Sequence, residues 1–282
     1  MKKSHIEEGI VKGFMLLSIS FVACSLGLIL VTVIVKGLPA LNLDMLIQTP
    51  KGGYYLGKEG GILNAILGSL YLAGGATLLA LVFSLPIALF LKTYSRRKWW
   101  ADYVRLSLDI LWGIPSIVYG AFGFTLMLAL GMRASLLGGI IVLALLELPI
   151  MTRGMDEVIR RMPIDMEEAA YALGATRFET AMHVVLRQML PGIVTAILLA
   201  FGRGIGDAAS VLFTAGYTDR IPNSLLRPVA SLPLAVFFQL GTPFPEVQNR
   251  AYAAALVLTA IILVVSLGSR WLSARMGRYT IK

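Results

Sequence analysis

The sequence predicts an all-α membrane protein with six transmembrane helices, one sizeable cytoplasmic loop and both termini in the cytoplasm. Of its 282 residues, 57% are hydrophobic and only 15% are charged, whereas about 25% of an ordinary soluble protein is charged. The mean hydropathy is +0.78. Apolar runs of the roughly 20 residues that a spanning helix needs recur along the chain. A cytosolic enzyme is therefore not expected, and the same composition excludes a disordered chain.

The predicted spans lie at 14–35, 62–91, 107–131, 134–152, 190–215 and 251–271. The whole chain, 1–282, then forms a single transmembrane domain, with an inner loop at 153–189. A further uncharged stretch, 228–245, contains Pro228, Pro233, Pro243 and Pro245. Because proline interrupts helical hydrogen bonding, we expect a re-entrant or exposed helical excursion there, and not a seventh span.

The positions of the basic residues predict the orientation. With six spans and the N-terminus inside, 17 of the 25 Lys and Arg residues fall in inner segments and seven in outer segments. An excess of Lys and Arg marks cytoplasmic loops, so both termini are predicted to lie inside. These loops also explain the net charge of +9, and no nucleic acid partner is predicted. Cys24 is the single cysteine, and His5 and His183 have no cluster of ligands around them, so no disulfide or metal site is expected.

The inner loop carries the strongest pattern. Asp165 stands three residues before Glu168, the spacing of a capping box that would begin a short helix. Gly174 can end this helix in the left-handed conformation, and a second helix is predicted from Thr176 toward Leu190. The apolar stripe of the first helix consists of Met166, Ala169, Ala170 and Leu173. Such a helix either docks in the groove of a partner or lies on lipid headgroups.

The predicted fifth span contains two charges, Arg203 and Asp207. Charges inside a membrane are expensive and normally face a bundle interior or a wet cavity. Four residues apart on a helix, they would share a face and could pair. Two interpretations stay open. The two charges form a structural ion pair, or Arg203 lies in the translocation pathway and its guanidinium binds an oxyanion as the anion is transported. Pro115 and Pro149 lie within or near the membrane and are either hinges or static kinks.

Several of these stretches resemble one known family. Glu168-Ala169-Ala170 followed by Gly174 resembles the EAA loop of ABC importer permeases. The stretches LWGIPSIVYG at 111–120, RGIGDAA at 203–209 and QNRAYAAA at 248–255 are similar to segments of phosphate importer permeases of the A-type. The resemblance covers roughly 60–270. The chain departs from it in carrying Asp207 and Ala208 where the family has Glu and Thr, and Arg187 where it has proline.

The resemblance implies a membrane-spanning permease subunit that moves inorganic phosphate by alternating access. Residues 165–174 would be the coupling helix that docks on a cytosolic ATPase. The implied partners are a homologous C-type permease subunit, an ATPase dimer, an extracytoplasmic phosphate-binding protein, phosphate and membrane lipid. The implied location is a bacterial or archaeal cytoplasmic (inner) membrane.

By the same resemblance, ATP and Mg would bind to the ATPase, and this chain would hold no cofactor and catalyse no reaction. Residues 52–58 formally fit a phosphate-binding loop, but Glu59 follows where Ser or Thr is needed, so no nucleotide site is predicted. The alternatives are a permease for another oxyanion (sulfate, molybdate or phosphonate), a channel or carrier that works without ATP, and a membrane enzyme. No catalytic constellation is visible to support the last of these.

Overall fold

The computed structural model describes residues 2–51, 59–95 and 98–276. Residues 52–58, which formally fit a phosphate-binding loop, therefore lie outside the described residues. The helices are α1 (Lys2–Gly37), α2 (Leu43–Ile47), α3 (Leu63–Thr93), α4 (Lys98–Gly113), α5 (Ser116–Ala129), α6 (Leu136–Arg160), α7 (Ile164–Ala172), α8 (Arg177–Glu179), α9 (Leu186–Gly206), α10 (Leu232–Leu240) and α11 (Pro245–Met276). A 3₁₀ turn, Leu38–Ala40, follows α1, and a π-helical turn, Thr180–Val185, joins α8 to α9. Strands β1 (Pro50–Lys51) and β2 (Glu59–Gly60) form one short antiparallel ladder. The predicted all-α class is confirmed.

Among the described residues, five helices are long and apolar enough to cross a membrane. They are Glu7–Ala40, Leu63–Thr93, Leu136–Arg160, Arg177–Gly206 and Pro245–Arg275. The pair α4 and α5 is bent by 94° at a short break, and it makes a sixth span if the two helices cross together. The six-span prediction therefore depends on this broken pair.

The break between α4 and α5 lies at Pro115, inside the span predicted as one helix at 107–131. Proline has no N–H to donate and disfavours a helical conformation of the residue before it. Pro115 consequently stands directly before α5, and α4 ends at Gly113. The Leu111 carbonyl, freed by the break, accepts hydrogen bonds from the Tyr119 hydroxyl at 2.8 Å and from the Ile114 N–H at 3.2 Å. Pro149, in contrast, lies inside the continuous helix α6.

The core of the chain forms where α3, α6 and α9 pack against one another. The buried face of α3 is built from small side chains, which let neighbouring helix backbones approach closely. These residues are Ala73, Ala76, Ala80, Ser84 and Ala88. Helix α1 lies apart from this core, because no residue of its most apolar 18-residue window is buried. It contacts α11 near Gly37, where a side chain would press on the backbone of Tyr252.

The fifth span is shorter than predicted. The expected helix at 190–215 ends at Gly206, and Asp207 adopts an extended conformation with φ −84° and ψ 123°. The chain then turns and packs on the start of α6, where the Ser135 N–H donates to the Thr214 carbonyl at 2.9 Å. Helix α10 falls inside the predicted excursion at 228–245. At nine residues it is shorter than a span, and it buries Leu232, Leu234 and Ala235 instead of exposing them.

Candidate functional site

The inner loop contains the short helix that the sequence predicts, but its first residue differs from the expected one. Helix α7 begins at Ile164, Pro163 stands before it, and no side chain caps it. The predicted capping box of Asp165 and Glu168 is therefore wrong. Because Pro163 already supplies an extended entry to the helix, Asp165 falls inside the first turn. There its negative charge favours the positive end of the helix dipole.

A complete capping box forms eleven residues later, at Thr176 and Glu179. The Glu179 N–H donates to Thr176 Oγ1 at 3.3 Å, and the Thr176 N–H donates to Glu179 Oε2 at 2.8 Å. The Thr-x-x-Glu spacing of such a box is present in the sequence, but the prediction above took only the helix start at Thr176 from this segment. It begins the helical run that continues through the π-helical turn into α9.

Gly174 ends α7 in the conformation that the sequence predicts. Its φ is +86°. The Ala175 N–H donates to the Ala170 carbonyl at 3.1 Å, and the Gly174 N–H donates to the Tyr171 carbonyl at 3.0 Å. Together these two bonds make a Schellman motif. The helix therefore ends sharply and leaves the loop without a bulky side chain at the turn.

The surface of α7 is open, since none of its residues is buried. The predicted apolar stripe divides: Met166 packs against the core, whereas Leu173 is 90% exposed. Ile164 and Phe178 present further exposed apolar side chains, and Ala169 and Glu168 are exposed between them. An ion pair between Lys92 and Glu167, at 2.9 Å, ties the helix to the end of α3. These exposed apolar side chains form a surface that either a partner protein or lipid headgroups can cover.

The two charges predicted in the fifth span do not pair. Arg203 is exposed in the last turn of α9, whereas Asp207 lies beyond the end of the helix and accepts a hydrogen bond from the Ser210 N–H at 2.8 Å. The ion-pair interpretation is wrong because residues four apart share a face only while the helix continues. The Arg203 guanidinium is exposed on the surface of a membrane-spanning helix, where a charge needs polar surroundings.

Glu147, in the middle of α6, is fully buried. The Thr77 hydroxyl donates to Glu147 Oε2 at 2.8 Å, which joins α3 to α6. Its other oxygen, Oε1, lies against Gly204 of α9 and accepts no hydrogen bond from the described residues. The sequence shows an acidic residue inside a span, but neither contact can be read from it.

An ion network that we did not predict from the sequence joins α4 to α6 near the inner loop. Arg105 donates two hydrogen bonds to the fully buried Asp156, at 2.8 and 3.1 Å. Arg153 donates to Asp109 at 2.6 Å and to Asp156 at 3.4 Å. The sequence could have indicated this network, because opposite charges occur at the inner ends of the third and fourth predicted spans. The described residues contain no group of three or more His, Cys, Asp or Glu side chains placed to hold a metal ion.

Comparison with known proteins identifies a family. Residues 84–278 match the family described as the binding-protein-dependent transport system inner membrane component. The phosphate transport system permease protein PstA of Haemophilus influenzae is 33% identical over 91% of this chain and 92% of its own length. The protein of the same name from Xylella fastidiosa strain Temecula1 is 37% identical over 86% of this chain and 84% of its own length.

A solved structure shows the same fold at low sequence identity. A chain of a bacterial alginate ABC transporter, crystallised with an alginate-bound periplasmic protein, aligns over 99% of both chains. The TM-score is 0.64 and the sequence identity is 14%.

Proposed function

This chain belongs to the family of binding-protein-dependent transport system inner membrane components. We therefore propose that it is the A-type permease subunit of an ABC importer for inorganic phosphate. It is a multi-pass inner membrane protein of a transport system that works with a binding protein. The observation that carries the phosphate assignment is its identity of 33–37% with PstA proteins over most of the chain. The departures at Asp207 and Ala208 make other oxyanions the alternative to test.

The coupling helix, α7, docks on a cytosolic ATPase in this proposal. Its exposed apolar residues Leu173 and Ile164 support the docking, as does its anchoring by Lys92 and Glu167. A helix lying on lipid headgroups would place Glu168 and Asp165 against anionic lipid, which is unfavourable. The ATPase acts as a dimer that binds ATP and Mg, and the other partners are a C-type permease subunit and an extracytoplasmic phosphate-binding protein.

Arg203 is the proposed contact for the anion in the pathway. A guanidinium presents a planar fork of donors that matches phosphate oxygens. Its exposure on α9 supports a position facing a wet cavity, since lipid would not accommodate the charge. Asp207 lies four residues further along the chain, just beyond the end of α9, and would limit how tightly the anion is held.

Alternating access needs an element that can change shape, and the break between α4 and α5 is the proposed one. Pro115 fixes this break, and the ion network ties α4 to the helix that leads into α7. Pro149 is a second proposed hinge within α6. ATP binding and phosphate can drive the change only by binding the inward and outward states with different affinity.

The proposed role of Arg203 is tested by substitution in the complete complex. We expect Arg203→Ala to abolish phosphate uptake into liposomes while the ATPase subunits still co-purify with the permeases. Arg203→Lys keeps the charge but loses the fork, and it should retain only part of the uptake. Full uptake by Arg203→Ala in an assembled complex would remove Arg203 from the pathway. A preference for sulfate, molybdate or phosphonate would keep the importer and change its substrate.

A further inference from the structure

The side chain of Glu147 sits where α3, α6 and α9 meet. It is fully buried, and the Thr77 hydroxyl is its hydrogen-bond donor. Among the described residues no Lys, Arg or His forms an ion pair with it. A buried carboxylate without a counter-cation would be very costly inside a membrane. The Glu147 side chain therefore stabilises the packing of the three helices through its shape and its hydrogen bond, and not through an ion pair.

The other oxygen of Glu147 fills a notch in α9 that only glycine provides. A Cβ at Gly204 would collide with Oε1 and would lie 2.9 Å from Cδ. Gly204 itself is buried, while its neighbour Arg203 is exposed. Since Arg203 directly precedes Gly204, the fit of the carboxyl group into this notch fixes the depth and rotation of α9 at the guanidinium.

We propose that Glu147 is a positioning residue for transport, whose side chain, held by Thr77 and seated against Gly204, sets the placement of Arg203 on α9. This inference rests on the proposed role of Arg203 in the pathway. Glu147 does not touch the anion. It acts through the helix on which the anion contact is carried.

A double-mutant cycle in the complete complex tests the notch. We expect Gly204→Ala to lower anion uptake by on the order of 10- to 100-fold, since a misplacement of about 1 Å has effects of this size in positioned reactions. Glu147→Ala should lower uptake to a similar extent, because the carboxyl group that seats α9 is lost. The double variant should lose little more than either single variant, because both changes break the same contact. Glu147→Gln keeps the shape and a hydrogen-bond acceptor, and it should transport nearly as well as the unmodified complex. Losses of the two single variants that multiply in the double variant, or an inactive Glu147→Gln, would overturn the proposal.

A merely structural contact would give some of the same losses, so a second readout is needed. If Glu147 and Gly204 act through Arg203, then Gly204→Ala should cost much less uptake in the Arg203→Lys background than in the unmodified chain. Losses that simply multiply would contradict a positioning role. Gly74→Ala on α3 is the matched control, because a Cβ there meets nothing within 4 Å.

The design separates this inference from the phosphate assignment. Uptake is measured with whichever anion stimulates the unmodified complex, so a different substrate leaves the cycle interpretable. If Gly204→Ala prevents assembly, Thr77→Val provides the alternative, because it removes the donor that holds the carboxyl group. Thr77→Val should lower uptake, and Thr77→Ser, which keeps the hydroxyl, should restore it. Equal uptake by these two variants would likewise refute the proposal.

Discussion

Two arginines share one buried carboxylate at the inner ends of α4 and α6. Asp156 has no exposed side-chain surface, whereas Arg105 is 16% and Arg153 is 23% exposed. The bidentate contact from Arg105 satisfies both carboxylate oxygens, which makes burial of the charge tolerable. Buried ion pairs of this kind contribute little net stability. Removing one charged side chain from the network is nevertheless costly, because the remaining charges lose their partner.

Removal of this carboxylate should therefore destabilise the chain strongly. We expect Asp156→Ala to lower the free energy of unfolding by about 3 kcal/mol, at the lower end for a broken buried pair because both arginines keep some contact with solvent. The melting temperature of the purified complex measures the effect. Asp102→Ala is the control, since Asp102 is 72% exposed and 3.5 Å from Arg105, and it should change the stability by less than about 1 kcal/mol. Equal effects of the two variants would show that the network does not support the fold.

Residue types identified the charged candidates, but their geometry could not be read from the sequence. Arg203 and Asp207 stand out because charges are rare in spans. Their pairing was wrong because the spacing rule assumes a continuous helix, and α9 ends at Gly206. The segment after that end is held by distant contacts, among them the bond that the Ser135 N–H donates to the Thr214 carbonyl. Such contacts join residues that are far apart in the chain, so no local sequence pattern predicts them.

The elements of the inner loop follow local rules more closely. Gly174 could be assigned to the left-handed end of α7 because few other residues adopt that conformation. The start of α7 was misassigned because Pro163 and Asp165 are both acceptable there, and the proline takes the position before the helix. The bend at Pro115 illustrates the same limit, since a proline inside an apolar run either kinks a helix or ends it.

The left-handed turn at Gly174 leads to a test of the coupling helix as an element. Gly174→Ala should cost about 1–2 kcal/mol, because a Cβ disfavours a positive φ, and no steric term adds to it since nothing lies within 4 Å. Faster hydrogen exchange of the α7 amides in the assembled complex measures the loosening. Gly174→Asn should have a smaller effect, because asparagine tolerates this conformation better. Unchanged exchange in Gly174→Ala would show that the turn does not hold α7 in place.

The exposed apolar face of α7 leads to a second test. Leu173→Ser should leave the stability of this chain unchanged, because the side chain is 90% exposed. If α7 docks on the ATPase, the same change should weaken co-purification of the ATPase by about 10-fold or more, the loss expected for an interface residue worth over 1 kcal/mol. Leu43→Ser is the matched control, with a side chain that is 72% exposed on α2. Equal ATPase recovery with both variants would place the docking surface elsewhere.

At the scale of the whole molecule, three helices form the core and other elements keep exposed surfaces. Helices α3, α6 and α9 form a core, while α1 keeps its apolar surface open and α9 presents Arg203 outward. The number of apolar runs could be predicted because insertion into lipid depends on local composition. The bend of the third span could not, since Pro115 is compatible with a kink as well as with a break. The short fifth span and the burial of α10 could not either, since the segments that pack against them are distant in sequence.

In the proposed mechanism, ATP hydrolysis by a partner drives phosphate through this chain by way of α7. The most direct measurement uses the complete complex in liposomes with its binding protein, and follows ATP hydrolysis and anion uptake with phosphate, sulfate and molybdate in turn. Glu168 is exposed on α7, so Glu168→Lys should spare the fold and disrupt docking. We predict that phosphate alone stimulates hydrolysis and uptake, and that Glu168→Lys abolishes both. Phosphate uptake that persists without ATP or without the ATPase would contradict this mechanism.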